Sequence, residues 1–431
     1  MNNRELINQS LQALWHPCSQ MKAYEQTPPV PIKKAQGVWL YDYDGQRYLD
    51  AISSWWVNLF GHGHAKIIDA MTRQMKELDH VMLAGCTHGP VVELSHRLSQ
   101  LTQGHLGHAF YGSDGASATE IALKMSAHYW RHQGRGEKHR FLSLAQGYHG
   151  ETLGALGVTQ VDLFRQAYGP LIRPGRVVAA PDSRHPQSES LALQALQETL
   201  QAHHEETAAL IVEPLVQAAA GMVFHSPAYL AQAASLCRQY EVHFIADEIA
   251  VGFGRTGTFL AMEQANTTPD FLCLSKGITG GVLPLSVVLT REEIYQAFLH
   301  EEMSRGFLHS HSYTGNPIAC AAALAVLDIF EEGQVIAANG QRSRTFETLV
   351  QPLAHHPRVV HARQRGMIWA FDVVDAPRDF APRYHQAALQ QGLLLRPIGS
   401  TIYFMPPYVI SDEEFSLLVQ GALKALNEVL S

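Results

Sequence analysis

From about residue 64 to 330, helical stretches such as 65–79, 89–102 and 116–130 alternate with short apolar runs, and this alternation constrains the fold more than any other feature. The runs include HAFYG, RFLSL, ALIVEP, HFIAD and FLCLS. One short apolar run fits a strand or a buried helix equally well. A regular succession of runs and helices predicts an α/β unit built on a mostly parallel sheet. Ahead of it, residues 1 to 54 read as an irregular arm followed by short strands, with Asp44-Gly45 as a hairpin turn. Behind it, Ala-rich 318–331 reads as a buried helix, 335–353 as a long helix, and 358–431 as strands with two further helices.

A chain of 431 residues leaves room for two or three domains at roughly 150 residues each. Charged residues make up only 17% against about 25% in an average protein, while 46% are hydrophobic. That excludes a disordered chain and points to self-association. The formal charge of −8 comes without a run of either sign, so nucleic-acid binding is not expected. The five cysteines, at 18, 86, 237, 273 and 320, form no CxxC pair and are odd in number, as expected of reduced thiols. The first twenty residues lack the apolar run of a signal peptide, and no stretch reaches the roughly 18 apolar residues of a membrane span. A cytoplasmic chain without membrane contact is the expectation.

Asp247 ends one apolar run, in HFIADEIAVGFGRTG, and Lys276 ends another, in FLCLSKG. In a parallel sheet ligands bind at the carboxyl ends of strands, so an acid and an amine at two such ends can converge on one ligand. A lysine there can form a Schiff base. Taken singly, Lys276 reads as a solvated or capping lysine and Asp247 as a helix cap. GSDGASATE, 112–120, opens a helix with a Gly-rich turn whose free N–H groups suit a phosphate, or which is an ordinary capped turn. GYHGET, 147–152, carries Tyr148, which fits either the face of a flat ring or a turn. HSHSYTGNP, 309–317, gathers hydroxyls ahead of the buried helix, for capping or for phosphate.

Two other readings compete. GFGRTG, 252–257, is formally GxGxxG, the mark of a nicotinamide-dependent oxidoreductase. Asp247 and Glu248 intervene between the run and the glycines, and no clean acid follows about 20 residues on, which argues against it. Among the 24 histidines, the pairs His62/His64 and His309/His311 lack third and fourth ligands at ordinary spacing, so no metal is expected.

In family order, GSDGASATE, GYHGET, IVEPLVQAAAGM, IADEIAVGFGRTG, LSKG and HSYTGNPIACAAA resemble the class III aminotransferases, which use pyridoxal 5'-phosphate. The resemblance spans almost the whole chain. It implies a fold type I architecture: a large domain over 55–330 and a small α+β domain assembled from 1–54 and 331–431. WHPCSQM at 15–21, SSWW at 53–56, DHVML at 79–83 and LRPIGSTIYFMPPY at 395–408 resemble the biotin-pathway branch. Its substrates would be S-adenosylmethionine as donor and 8-amino-7-oxononanoate as acceptor.

By the same resemblance, Lys276 carries the cofactor and serves as the base, Asp247 keeps the pyridine nitrogen protonated, and Tyr148 stacks on the ring. Backbone amides at Gly115 and Ala116 hold the phosphate, Ser312 reaches it from the partner subunit of a homodimer, and Glu213 belongs to the cofactor site. Trp55 and Trp56 supply an apolar wall and Arg396 a grip on the acceptor carboxylate. Arg255, Glu151, Gly315 and Cys18 match substrate-region positions. Cys18 stands where the branch has tyrosine, Ala116 where the phosphate loop has Ser or Thr, Ser312 where threonine is usual, and Val251 where threonine is common. The related alternatives are an ω-aminotransferase acting on diamines, β-amino acids or 4-aminobutyrate, and the same acceptor with lysine as donor.

Overall fold

A seven-stranded sheet forms the centre of one unit, Lys66–Gly340, in this computed structural model, which describes residues 1–431. In chain order its strands are β1 (His108–Gly112), β2 (Arg140–Leu144), β3 (Arg176–Val178), β4 (Thr207–Val212), β5 (His243–Asp247), β6 (Phe271–Leu274) and β7 (Ser286–Thr290). In space they lie β1-β7-β6-β5-β4-β2-β3. β7 runs antiparallel to both of its neighbours and every other pairing is parallel. The mostly parallel α/β sheet is as expected. β7 is an addition: after β6 the chain makes one 3-10 turn, Lys276–Thr279, and returns along the sheet without a crossover helix.

Strands β4 to β7 are buried along their whole length, as happens when both faces of a sheet are covered. Helix Gly115–His132 supplies part of that cover: Ala118, Ile121, Ala122 and Met125 join Ile211, Ile245, Phe271 and Val288 in one core cluster. Its alanines allow close approach, so that Cys273 Sγ lies 3.8 Å from the Ala118 carbonyl. The Ala-rich helix runs Pro317–Gly333, begun by a proline in its first turn and by the Asn316 side chain accepting from Ala319 N–H at 3.0 Å.

The second unit combines Met1–Ala65 with Gln341–Ser431. Strands Ile32–Gln36, Trp39–Asp42 and Arg47–Asp50 form an antiparallel meander, joined in parallel by Leu393–Leu394. Gly45, at φ 93°, takes the left-handed position of the Asp44-Gly45 turn. A separate antiparallel sheet of Val359–Arg365, Ile368–Val373 and Thr401–Phe404 packs with helix Asp412–Leu430, where Phe346 and Phe415 stack at 3.9 Å between centroids. Residues 55–65 stay with this unit. Tyr408 N–H donates to the Leu59 carbonyl, and Gly37 and His62 exchange two backbone bonds.

Two local expectations change. The N-terminal arm is not irregular: Asn3–Ala13 is a helix, started by a capping box between Asn2 and Glu5. It buries no residue fully: its narrow apolar face, Leu6, Ile7 and Leu11, is only half-buried. The long helix after 335 ends at Leu349, and Pro352 lies within a short separate turn, Gln351–Ala354. No helix is long and apolar enough to cross a membrane.

Candidate active site

Asp247 closes β5 beside Cys273 of parallel β6, and Lys276 opens the turn just beyond β6, so acid and amine share the carboxyl edge of the sheet. The Asp247 carboxylate is buried and doubly held. Its Oδ2 lies 2.7 Å from His149 Nδ1, and its Oδ1 accepts from Ile249 N–H at 3.1 Å. Lys276 stands in the left-handed region, φ 46°, the kind of backbone strain that persists only where surroundings enforce it. Beside it, Ser275 Oγ donates to the Leu285 carbonyl at 2.8 Å, tying the turn to the start of the returning strand.

Burial pushes the Lys276 ammonium down to about 8, against the upward pull of Asp247 and then Glu213. Burial pushes the Glu213 carboxyl up to about 7, with His149 opposing and Asp247 adding. Glu213 accepts from the N–H groups of Tyr148 and Ala218, each at 3.3 Å. A lysine lowered from 10.5 to about 8 releases its proton on folding only between those pH values; below about pH 8 the buried ammonium opposes folding in full, and that opposition fades as pH rises towards 10.5. In cofactor-free protein, acylation of Lys276 followed by peptide mass spectrometry should therefore rise with a midpoint near pH 8. A midpoint above about pH 10, the value of a water-exposed lysine, would contradict this burial.

Helix Gly115–His132 is capped by Asp114, whose carboxylate accepts from Ser117 N–H at 3.0 Å and Ser117 Oγ at 2.9 Å. The N–H groups of Gly115 and Ala116 have no partner within the helix. Close packing joins this turn to the Tyr148 loop: a Cβ on Gly150 would meet Ala116 Cβ at 2.5 Å, and a Cβ on Gly115 would meet Ile249 at 2.9 Å. Thr119 Oγ1 donates to the His149 carbonyl at 2.8 Å. Tyr148 is partly buried, its hydroxyl donating to Glu151 Oε1 at 2.9 Å and its ring edge-on to Phe164. Lys276, Asp247, Glu213, Tyr148, Glu151, Gly115 and Ala116 thus lie on one edge or on loops packed to it.

Three further expected residues belong to the same unit. Ser312 is exposed. Gly315 is buried at φ 64°, its carbonyl 2.8 Å from His88 Nε2, and a Cβ there would strike Leu83 at 2.6 Å. Arg255 is almost wholly buried in the loop after β5.

Within the other unit, Ser53, Ser54, Trp55 and Trp56 have φ of 52°, 47°, 72° and 72°. Left-handed backbone costs about 1–2 kcal/mol for each residue that is not glycine. Trp56 is buried and its Nε1 donates to Tyr403 Oη at 3.1 Å. Trp55 is 45% exposed, with the Arg396 guanidinium 5.1 Å from its ring centroid, within cation–π reach. Cys18 and Arg396 line one cavity of about 540 Å³, walled also by Tyr24, Pro28, Val30 and Leu394.

The aminotransferase class-III family profile matches residues 20–426, and the chain belongs to that family. Over its whole length it is 48% identical to the adenosylmethionine-8-amino-7-oxononanoate aminotransferase of Helicobacter pylori, covering 99% of that protein. The crystal structure of the enzyme of that name from Methanocaldococcus jannaschii, 35% identical, superposes with a TM-score of 0.94 over 99% of this chain and 100% of that one. An amine transaminase from an uncultivated Pseudomonas species, solved in its PLP-bound form, is 31% identical with a TM-score of 0.91 over 97% of this chain and 99% of that one.

Pyridoxal phosphate is the cofactor this family implies, and the residues fit it. His149 Nε2 and Gln217 Oε1 are buried without a hydrogen-bond partner, and His149 Nδ1 rests on the Asp247 carboxylate. Sequence reasoning does not single out His149 as a site residue. His149 stands inside GYHGET, but only packing brings it to Asp247; a histidine between two glycines is the one signal that pointed there.

Proposed function

We propose that this chain moves an amino group from S-adenosylmethionine to 8-amino-7-oxononanoate, giving 7,8-diaminononanoate for biotin synthesis, as a cytoplasmic homodimer. The observation that carries the acceptor is Arg396 set against Trp55: a cation on an apolar wall suits a long keto acid ending in a carboxylate. Exposed Trp15 and Tyr313, with Ser312 on the same segment as the latter, support an interface between two copies.

Pyridoxal phosphate, when bound, supplies an aldehyde that takes up the amino group and a ring that accepts electron density. Lys276 would hold it, Asp247 would keep a proton on its ring nitrogen, and the N–H groups of Gly115 and Ala116 would receive its phosphate, with Ser312 reaching in from the partner subunit. Tyr148 would cover the ring face, and Glu213 would bound the same pocket. Lys276 Nζ would also take the proton from the donor Cα and deliver one to the acceptor carbonyl carbon. Its lowered proton affinity suits both duties near neutral pH. His149 and the Ile249 N–H keep Asp247 from turning away.

The test is a half-reaction assay. S-adenosylmethionine, lysine and simple amines are mixed in turn with the enzyme, cofactor absorbance is followed, and 8-amino-7-oxononanoate is then added. S-adenosylmethionine should alter the absorbance and the keto acid restore it. Restoration by simple ketones alone would make the chain an ω-aminotransferase. Arg396→Lys should raise the KM for the keto acid on the order of 10–100-fold, because an ammonium cannot reproduce a two-pronged carboxylate contact.

A further inference from the structure

Four consecutive residues, none of them glycine, hold the left-handed region at Ser53–Trp56, and such a run persists only where its surroundings over-determine it. One end is pinned by Trp56 through Tyr403, and Ser53 Oγ donates to the Met405 carbonyl at 2.7 Å. The middle is held by a carboxylate. Asp50, with no exposed surface, accepts Ser54 N–H on Oδ1 at 2.8 Å and Ser54 Oγ on Oδ2 at 2.7 Å. The same Oδ2 lies 2.9 Å from His62 Nε2, and His62 is itself fixed by its two backbone bonds to Gly37.

These contacts divide the tryptophan pair. Trp56 is driven inward as an anchor, while Trp55 is turned outward to the Arg396 guanidinium. A right-handed turn from the same anchor would carry Trp55 in another direction. We infer that Asp50 is a positioning residue for the amino acceptor: by clasping Ser54, with His62 behind it, it keeps Trp55 against Arg396 and so sets affinity for a keto acid with a long apolar chain and a terminal carboxylate. This rests on the acceptor reading given above.

The experiment compares substitutions that favour or oppose the turn. Glycine accepts a left-handed backbone and a β-branched residue resists it. Ser54→Val should raise the KM for 8-amino-7-oxononanoate about tenfold or more with kcat within about threefold, while Ser54→Gly stays within about threefold in both. Bound cofactor and the donor half-reaction should be unchanged in each. Asp50→Ala should behave like Ser54→Val, and adding Ser54→Gly to it should recover most of the affinity. If Asp50→Ala gives no folded protein, the Ser54 pair decides. An unchanged KM in Ser54→Val, or equal losses in both half-reactions, overturns the clasp. Failure of the wild-type enzyme to use the keto acid instead overturns the acceptor reading, so the two failures are distinct.

Discussion

Lys276→Ala should lower amino transfer by on the order of 10⁴-fold or more, the range lost when a single group serves as both covalent anchor and proton carrier. Nζ is drawn down to about 8 by burial, and the residue stands at φ 46° on the sheet edge beside Asp247. The fold should survive, because the substitution removes a desolvated cation and leaves the Ser275 bond to Leu285 intact. Three measurements settle it: single-turnover rate with S-adenosylmethionine, thermal midpoint, and borohydride fixation of cofactor to the peptide containing position 276. Cofactor still fixed to protein elsewhere, or activity within tenfold of wild type, would refute the assignment.

Asp247→Asn should cost on the order of 10–10³-fold in turnover, since a neighbouring opposite charge is worth about 1–3 pKa units to the group it stabilises. The amide fills the same space and can still accept from Ile249 N–H, so shape is kept and charge is lost. Both half-reactions should slow together with little change in either KM, because the effect falls on the chemistry common to both. A second readout checks that the charge is responsible. Asp247 pulls the Lys276 ammonium upward against burial, so removing it should move the lysine labelling midpoint further below about 8. An unmoved midpoint with unchanged turnover would show that the carboxylate has no electrostatic role.

Much of the large unit could be read from the chain, because alternation is a local signal that the sheet preserves. Asp247 and Lys276 stood at ends of apolar runs, and strand ends in parallel sheets lie on one edge. β7 was less legible: SVVLT has the composition of any buried strand, and its reversed direction depends on neighbours far away in sequence. Helix Asn3–Ala13 is weakly marked: only Leu6, Ile7 and Leu11 form its apolar face, and its start is written in a cap. The left-handed turn at Ser53–Trp56 carries no glycine to announce it, and its cause, Asp50, sits at a strand end like many other acids. His149 reaches Asp247 only through the packing of Thr119 and Gly150.

The reversed strand after β6 also separates two electrostatic tasks along a single edge. Where β1 leads into a long helix, the first N–H groups point outward and offer partial positive charge to an anion. Where β6 leads into one 3-10 turn and then β7, Lys276 opens that turn and not a long helix. Burial lowers its proton affinity, and Asp247 and then Glu213 pull against that. Altering Glu213 should therefore shift the Lys276 proton affinity and leave the N–H groups of Gly115 and Ala116 untouched.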